Sequence, residues 1–245
     1  MSETVLPGPI LLKPEWPRPR GVELRLSTRA FGQSIGKYAA LNLGNHVEDD
    51  PLSVMQNRAL VRAELPAEPN WLNQVHGSHV VEIDSDAVAL SVPDADASFT
   101  KIVNQVLVVM VADCLPIALV SGDGQELAVV HAGWRGLANG VLAEAVKRFD
   151  ADDIYAWLGP AIGPCHYEVD KVVRNEFSDS TGFVEGRDKQ HWMMDLSGIA
   201  ARQLNRLGIK LITNSRICTV CDHRFFSHRD AAPTGRFGIF LWKSA

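Results

Sequence analysis

The sequence predicts a single α+β domain, layered and built on mixed β-sheets. Along the 245 residues, apolar β-rich runs and helical stripes are interleaved without a strict βαβ alternation. No linker or shift in composition divides residues 21–245, so this span is predicted to be one domain. Residues 1–20 are predicted to be an extended arm, because five prolines lie between positions 6 and 20.

Composition and charge exclude several classes of protein. Apolar residues make up 46% of the chain and charged residues 22%, as in ordinary globular proteins. A chain of this length buries a sizeable core without disulfides, which excludes disordered, collagen-like and small disulfide-rich proteins. The 24 basic and 29 acidic residues give a net charge of −5, which argues against a general nucleic-acid binder.

The start of the chain and its longest apolar run predict a cytoplasmic protein. Residues 1–9 show neither the basic nor the apolar region of a secretory signal. The longest apolar run, Val106–Ala112, is far shorter than the roughly 20 residues that span a membrane. We therefore expect no membrane contact, and reduced thiols that are available for metal binding or catalysis.

The first half of the chain is predicted to form five strands and one helix. The helix begins at Pro51 with Asp50 as its N-cap and ends before Pro66. Its predicted buried stripe is Leu52, Met55, Ala59 and Ala63. The predicted strands are Val22–Leu26, His79–Ile83, Val106–Ala112, Pro116–Val120 and Leu127–Val130.

The second half is predicted to form three helices and three strands. The last helix follows Asp195 as its N-cap, presents Leu196, Ile199, Ala200, Gln203 and Leu207 on one face, and is stopped by Gly208. The other predicted elements are helices at Leu137–Phe149 and Tyr167–Phe177 and strands at Ile154–Leu158, Ile209–Thr213 and Phe237–Trp242.

One local cluster has the spacing of a metal or redox site. Cys218 and Cys221 form a C-x-x-C pair, and His223 and His228 follow within seven residues of Cys221. Four ligands from this stretch would make a zinc-stabilised, non-enzymatic binding module. We favour the alternative, loop cysteines without a shared ligand, because the chain has no second C-x-x-C and needs no zinc to fold.

A second constellation is dispersed along the chain. His76 precedes a predicted strand, Cys114 interrupts an apolar run, and His131 lies where a strand gives way to a helix. One thiolate and two imidazoles suit zinc and leave a fourth position for water or substrate. The same trio suits a cysteine nucleophile with a histidine base. From spacing alone, a structural role is favoured for each of these residues taken singly: a buried thiol for Cys114 and hydrogen-bonded turn positions for the two histidines.

Twelve short motifs, in order along the chain, resemble those of one family. They are Ser27-Thr28-Arg29, Leu41-Asn42-Leu43-Gly44, His46-Val47, Asp49-Asp50-Pro51, Asn57-Arg58, Gln74-Val75-His76-Gly77, Ala112-Asp113-Cys114-Leu115-Pro116, His131-Ala132-Gly133-Trp134-Arg135-Gly136, Gly159-Pro160-Ala161-Ile162-Gly163, Cys218-Thr219, Phe225-Phe226-Ser227 and Thr234-Gly235-Arg236. The chain from about Ser27 to Trp242 therefore resembles the laccase-domain or YfiH-like family. Its members are also called multicopper polyphenol oxidases, purine nucleoside phosphorylases or peptidoglycan editing factors.

The resemblance implies a fold, a metal and an activity. The fold is that of YfiH-like cysteine hydrolases, and the implied metal ligands and catalytic residues are His76, Cys114 and His131. They would hold one Zn²⁺ per chain, with Cu²⁺ as an alternative. The implied reactions are phosphorolysis of adenosine, inosine, guanosine and methylthioadenosine, and hydrolytic deamination of adenosine. Purine nucleosides and phosphate would be the partners, and the chain would be a monomer or a weak homo-oligomer.

Five residues are predicted to bind substrate from their positions in these motifs. Arg135 lies in a glycine-flanked helix start that suits an anion, and Arg29 and Arg229 are further candidates for phosphate. Asn42 and Asp113 complete the set. The chain departs from the family where His228 replaces a tyrosine and Asp230 replaces an arginine, which predicts weaker anion binding; Cys221 has no role in this interpretation.

Two other activities stay open at this point. A peptidoglycan-precursor editing hydrolase would use Cys114 as nucleophile and His131 or His76 as base, although fold analogy is a weak argument. A copper-dependent polyphenol oxidase needs a multi-histidine cluster. The eight histidines are scattered singly, without an H-x-H pair, and this disfavours the oxidase.

Overall fold

The computed structural model describes residues 11–84 and 91–245, and within them it contains fourteen strands and five α-helices. The strands are β1 (Leu11–Leu12), β2 (Val22–Ser27), β3 (Pro69–Asn70), β4 (Val80–Ile83), β5 (Ala97–Thr100), β6 (Val106–Val111), β7 (Leu115–Ser121), β8 (Leu127–Ala132), β9 (Ile154–Leu158), β10 (Glu168–Asp170), β11 (Phe183–Glu185), β12 (His191–Met194), β13 (Leu211–Asn214) and β14 (Phe237–Lys243). The helices are α1 (Pro51–Arg62), α2 (Trp134–Ala138), α3 (Val141–Val146), α4 (Lys171–Asn175) and α5 (Leu196–Arg206).

The strands form two large mixed sheets and one small antiparallel sheet. The five-stranded sheet has the order β1-β2-β14-β6-β3, and the six-stranded sheet has the order β13-β9-β7-β8-β5-β4. The pairs β3–β6, β4–β5 and β9–β13 are parallel, and the other pairs in these two sheets are antiparallel. The small sheet has the order β10-β12-β11.

The continuous apolar runs of the sequence are strands buried on both faces. In β6, Leu107, Val109 and Val111 pack into the core between the two large sheets. The alternate residues Val106, Val108 and Met110 face the opposite side, toward α1. Because side chains alternate across a strand, burial of both faces removes the apolar–polar alternation of a half-exposed strand.

The helices cover the outer faces of this sandwich. α1 contributes Val61 to the core outside the five-stranded sheet. α2, α3 and α5 contribute Leu137, Leu142, Ile199 and Leu204 to the core outside the six-stranded sheet. The result is a layered α+β architecture with mixed sheets in one domain, which confirms the predicted fold class.

The N-cap of α1 was predicted correctly, but its buried stripe was not. The Asp50 carboxylate accepts a hydrogen bond from the Ser53 backbone N–H, and Pro51 is the first helical residue. The predicted stripe lies in solvent, since Leu52 and Met55 are exposed. The helix instead buries the stripe Val54, Asn57 and Val61. The Asn57 side-chain amide donates to the Ser34 hydroxyl and the Asn42 carbonyl, and these bonds set a rotation that apolar periodicity alone does not reveal.

Two predicted helices were also wrong. The helix predicted at 137–149 is divided into α2 and α3, because Gly140 takes a left-handed conformation with φ +79° at their junction. The helix predicted at 167–177 forms β10 and the single-turn helix α4 instead. β10 pairs with β12, a partner distant in sequence, and this pairing overrides the local helical pattern.

The remaining predicted elements agree with the structure to within a few residues. β9 begins and ends at its predicted residues, and Asp195 caps α5 by accepting from the Gly198 N–H. Residues 1–10 of the predicted arm lie outside the described residues, while β1 pairs with β2 and Trp16 is buried. The boundary at residue 20 stays a prediction. Among the described residues, every helix is too short or too polar to cross a lipid bilayer.

Candidate active site

Two connections and the end of strand β8 bring His76, Cys114 and His131 together. His76 precedes β4, Cys114 joins β6 of one large sheet to β7 of the other, and His131 lies within β8. One sulfur and two imidazole nitrogens lie within 4.8 Å of one another. His131 is almost fully buried at 4% exposure, and the His76 ring meets it edge-on at a centroid distance of 4.8 Å. The dispersed trio of the sequence is therefore one cluster in space.

Unusual backbone conformations present this trio. His76 has φ +58° and the neighbouring Asp113 has φ +90°, in the left-handed region that non-glycine residues rarely adopt. Each such residue costs on the order of 1 kcal/mol, and such conformations cluster at functional sites. A Cβ on Gly133 would lie 3.0 Å from the Cys114 sulfur and 3.2 Å from the His76 Nδ1. Glycine at 133 therefore keeps open the space between the sulfur and the ring nitrogen.

The Asp96 carboxylate contacts the ring of His131 and the backbone of His76. Its carboxylate is fully buried, and the Oδ1 atom lies 2.8 Å from the His131 Nδ1. The same carboxylate accepts from the backbone N–H groups of His76 and Gly77 at 3.0 and 2.6 Å. With His131 Nδ1 bound to the carboxylate, its Nε2 is the nitrogen left for the cluster, as in many metal-binding histidines.

The surroundings of Cys114 and His131 favour a thiolate–imidazolium pair when no metal is bound. Burial raises the pKa of the Cys114 thiol, but the charge of His131 and hydrogen bonds from His131 and His76 lower it from 9.0 to about 6. Burial lowers the pKa of His131, but the charge of Cys114 and the hydrogen bond to Asp96 raise it from 6.5 to about 9. A deprotonated, buried thiol suits either a metal ligand or a nucleophile.

The trio lies in a cleft with a volume of about 440 Å³. Three arginines and two aromatic side chains line the cleft above the trio: Arg135, Arg229, Arg236, Trp134 and Tyr167. The remaining polar lining includes His46, Gln74, Asp113 and His228. Burial and the charges of Arg236 and Arg58 lower the pKa of His46, so the cleft disfavours further positive charge. The three arginines in the lining favour an anion.

Asp113 holds other parts of the site in place. Its Oδ1 accepts from the Thr219 hydroxyl, and its Oδ2 accepts from the Arg229 backbone N–H at 2.6 Å. The Asp113 carbonyl accepts from Ile162 N–H at 2.9 Å. Both carboxylate oxygens therefore serve internal contacts, and Asp113 anchors the loops around the cleft.

The structure places the five predicted substrate-binding residues in two groups. Asp113, Arg135 and Arg229 line the cleft, whereas Arg29 and Asn42 are not among its lining residues. The Arg29 guanidinium lies 4.9 Å above the Phe226 ring and donates to the Ala39 carbonyl. Fully buried Asn42 accepts from the Arg236 backbone N–H at 2.8 Å. Both residues contribute to packing and loop structure.

Several cleft residues were not among the predicted site residues. Arg236 and His46 lie within two of the twelve motifs, so the motifs do point to both residues as candidates. Tyr167 had been assigned to a helix, and the 5.4 Å contact between its ring and the Arg229 guanidinium depends on the β10 fold. No local pattern marks such a residue.

The neighbours of the Cys218–Cys221 pair differ from the two histidines of the zinc module that was the disfavoured alternative. Cys218 and Cys221 converge with Cys165 and His166, a pair from another loop. His228, which the disfavoured zinc module would have used as a ligand, lines the cleft instead, and His223 is exposed outside the four-residue group. That alternative considered only ligands close in sequence, whereas Cys165 and Cys218 are 53 positions apart.

Comparison with known proteins gives matches along almost the whole chain. Residues 23–244 match the family model described as multi-copper polyphenol oxidoreductase laccase. The chain is 41% identical over 242 residues to a protein of Shigella flexneri named purine nucleoside phosphorylase YfiH, covering 95% of this chain and 98% of that protein. It is 38% identical to a purine nucleoside phosphorylase of Pseudomonas aeruginosa, covering 94% and 97%.

Solved structures share the fold. Protein NMB0706 of Neisseria meningitidis superposes with a TM-score of 0.90 at 36% identity, covering 97% of this chain and 100% of that one. YlmD of Geobacillus stearothermophilus superposes with a TM-score of 0.84 at 31% identity, covering 92% and 93%. The resemblance inferred from the sequence motifs is thereby confirmed.

Proposed function

Since the chain belongs to the multi-copper polyphenol oxidoreductase laccase family, whose relatives in Shigella and Pseudomonas are named purine nucleoside phosphorylases, we propose that it is a metal-dependent purine nucleoside phosphorylase. The observation that carries the proposal is the convergence of His76, Cys114 and His131 beneath a cleft lined by three arginines. The proposed location is the cytoplasm, as a monomer or weak homo-oligomer, where Cys114 stays reduced.

The donor set supports zinc at this site. A thiolate and two imidazoles are ligands that zinc prefers, and three protein ligands are the number found in catalytic zinc sites. The Asp96 carboxylate behind His131 supplies the partner that metal-binding histidines use. The space kept by Gly133, next to both the sulfur and the His76 Nδ1, supports the same assignment. A bound zinc ion would supply a Lewis acid at the floor of the cleft.

The cleft residues fit a nucleoside and a phosphate. In phosphorolysis a phosphate oxygen bonds to C1′ of the ribose while the bond from C1′ to the purine breaks and the base takes up a proton. Arg135, Arg229 and Arg236 offer guanidinium groups that bind phosphate oxygens. Trp134 and Tyr167 offer ring faces to the base. We propose adenosine, inosine, guanosine and methylthioadenosine as substrates, and deamination of adenosine as a second activity.

An assay of ribose 1-phosphate released from inosine and phosphate tests the proposal. We expect turnover by the wild type and its loss by at least 100-fold in Cys114→Ala. Arg229→Gln is expected to raise KM for phosphate more than KM for inosine, because the guanidinium contacts the anion. The control is Arg206→Gln on α5, where an exposed ion pair with Asp179 is removed. Undiminished turnover in Cys114→Ala would refute the proposal.

The thiolate–imidazolium pair supports a second candidate, a peptidoglycan-precursor editing hydrolase. Here Cys114 would be the nucleophile and His131 or His76 the base. The observation that favours it is geometric: the Cys114 sulfur lies within 4.8 Å of a ring nitrogen of both His131 and His76. This candidate predicts hydrolysis of a wall precursor that survives chelation of metal and stops after alkylation of Cys114. Activity that disappears with the metal, in protein whose thiol is intact, rules it out.

Copper-dependent polyphenol oxidation has less support, despite the family description. Electron transfer in multicopper oxidases uses a mononuclear copper and a separate cluster of many histidines. The His/Cys clusters found in residues 11–84 and 91–245 contain three histidines in total, namely His76, His131 and His166. These donors are too few for such a copper array.

A further inference from the structure

Three of the four cysteines of the chain lie together away from the candidate active site. Cys165 and His166 follow β9, and Cys218 and Cys221 follow β13, yet one side-chain atom from each lies within 4.8 Å of the others. We call these four residues the outer cluster. Cys165, His166 and Cys221 are exposed, and Cys218 is half-buried. Two loops, with Cys165 and Cys218 at 53 positions from each other, thus bring three thiols and an imidazole to one point on the surface.

The distances within the outer cluster are those of a tetrahedral zinc site. Bonds of about 2.3 Å to sulfur and about 2.0 Å to nitrogen place two sulfur ligands about 3.8 Å apart and a sulfur and a nitrogen about 3.5 Å apart. The Cys165 and Cys221 sulfurs are 3.7 Å apart. The His166 Nδ1 lies 3.2, 3.5 and 3.7 Å from the sulfurs of Cys165, Cys221 and Cys218. Four of the six donor–donor distances therefore match such a tetrahedron, and the two sulfur–sulfur distances from Cys218 are at most 4.8 Å.

The backbone around the outer cluster is built for close approach. The Gly163 N–H donates to the Cys218 sulfur at 3.3 Å, a contact that stabilises a thiolate ligand. A Cβ at Gly163 would lie 3.4 Å from the sulfurs of both Cys165 and Cys218, so glycine lets the loop pass tightly over them. Ala161 pairs with Cys218 in an isolated parallel bridge, and its carbonyl accepts from the Thr219 N–H at 3.0 Å. The two loops are thus held in register independently of the thiols.

The set of donors favours a metal over a disulfide. A disulfide needs two cysteines, whereas here a third thiol and an imidazole converge on the same pair. The C-x-x-C spacing of Cys218 and Cys221, combined with the adjacent Cys165 and His166, supplies the three cysteines and one histidine of a closed structural zinc site. Exposed free thiols are otherwise a liability in a folded protein.

We propose that the outer cluster binds a second zinc ion, with Cys165, His166, Cys218 and Cys221 as its four ligands and a structural role. All four positions of the metal would be taken by protein, so this site would be closed to substrate. It would tie together the loops that follow β9 and β13. One of these loops carries Thr219, whose hydroxyl donates to Asp113 beside Cys114. The other carries His166, whose carbonyl accepts from the Arg229 guanidinium at 3.1 Å.

Zinc content in a protein that lacks the inner ligands tests the proposal. The background is the full chain with His76→Ala and Cys114→Ser, in which the candidate active site has lost two of its three ligands. We expect about one zinc per chain to remain in this background. Adding Cys218→Ser and Cys221→Ser should remove that zinc and lower the melting temperature by about 5 °C or more. Because the inner site is disabled throughout, the result does not depend on the proposed enzymatic function.

Two further variants separate metal binding from a general loss of structure. His166→Cys should keep the zinc, because four thiolates also form a structural zinc site, whereas His166→Ala should weaken zinc binding at least tenfold. The control His223→Ala alters an exposed histidine of the same loop and should leave zinc content unchanged. Cobalt(II) added to the zinc-free background protein should give the intense thiolate charge-transfer bands of a tetrahedral sulfur-rich site.

Three results would overturn the proposal. The first is a background protein that contains no zinc and shows no thiolate–cobalt bands. The second is zinc that persists after Cys218→Ser and Cys221→Ser. The third is freshly isolated protein in which mass spectrometry finds Cys165 and Cys221 joined in a disulfide, since these thiols would then be unavailable to a metal.

Discussion

At the scale of single residues, Asp96 controls the chemistry of Cys114 through His131. The carboxylate stabilises the His131 imidazolium, and the imidazolium stabilises the thiolate. In metal-stripped protein we expect alkylation of Cys114 by iodoacetamide to rise with a midpoint near pH 6, because a lowered pKa leaves the thiolate populated above that value. Asp96→Asn removes the negative partner, so the midpoint should move up toward the ordinary thiol value of 9.0.

Peptide-resolved mass spectrometry measures this midpoint separately from the other three cysteines. Asp188→Asn is the matched control, because Asp188 makes the same carboxylate–imidazole contact with His191 at 2.7 Å on the surface. That variant should leave the Cys114 midpoint near 6. An Asp96→Asn protein with an unchanged midpoint would contradict the proposed linkage through His131.

The space at Gly133 gives a second prediction at this scale. Gly133→Ala places a methyl group 3.0 Å from the Cys114 sulfur and 3.2 Å from the His76 ring, so zinc binding should weaken about 10–100-fold. Gly133 is also the N-cap of α2. Gly133→Ser adds the same Cβ with a better capping residue, and it should lose zinc equally. Competition with a chromophoric chelator measures the affinity for zinc. Wild-type zinc affinity in Gly133→Ser would mean that poorer capping of α2, rather than the added methyl group, weakened binding in Gly133→Ala.

The convergence of the site residues in space could not be predicted from the sequence. His76, Cys114 and His131 were selected by motif resemblance, since their spacings of 38 and 17 residues carry no geometric information. The structure brings them together through turns at His76 and Asp113 with positive φ, which composition does not predict. Cys165 and His166 were missed as partners of Cys218 for the same reason, because their contact forms only after the loops pair.

At the scale of elements, α1 is anchored by a polar residue. The fully buried Asn57 amide donates to the Ser34 hydroxyl and to the Ala40 and Asn42 carbonyls, and its oxygen accepts from the Gln33 N–H. We expect Asn57→Leu to lower the free energy of unfolding by about 3 kcal/mol, because several buried polar groups lose their partner. Denaturant titration measures this change.

The matched control for this prediction lies one position earlier in the same helix. Gln56 is exposed, so Gln56→Ala should change stability by less than about 0.5 kcal/mol. Equal stability of the Asn57→Leu and Gln56→Ala proteins would show that the amide contacts do not hold α1 in place.

The elements predicted best are those whose signal is local. β9 is a five-residue apolar run closed by Gly159 and Pro160, and α5 carries its own cap at Asp195. The elements that were predicted wrongly depend on contacts with residues distant in sequence or on the conformation of one glycine. Asn57 rotates α1, Gly140 separates α2 from α3, and the pairing with β12 turns the chain near Val169 into a strand.

At the scale of the whole molecule, an acidic protein carries a basic cleft. The net charge is −5, yet Arg135, Arg229 and Arg236 line the candidate active site. Attraction of phosphate to this cleft is screened by salt. We expect KM for phosphate to rise several-fold between about 0.05 and about 0.5 M NaCl, while KM for uncharged inosine stays nearly constant. Steady-state kinetics at fixed pH measures both; parallel changes in the two constants would argue against an electrostatic phosphate site.

The layered architecture also fixes where the site lies. Cys114 connects β6 of the five-stranded sheet to β7 of the six-stranded sheet, so the trio sits at the seam between the two sheets. The class of the fold was predictable from the mixture of strands and helices. The sheet order was not, because β2 pairs with β14 near the other end of the chain, as in the pair Leu26–Ile239.

Trp134 lies where its fluorescence can report ligand binding in the cleft. It is half-buried at the cleft wall with the Arg135 guanidinium 4.3 Å from its ring. The other five tryptophans do not line the cleft; three are buried, and Trp71 and Trp192 are half-buried elsewhere. An aromatic ligand entering the cleft would displace water from the indole face and change its fluorescence. Ligand binding in the cleft can then be followed by tryptophan fluorescence before any reaction product is identified. The Trp134→Phe protein, which lacks this indole, is the control.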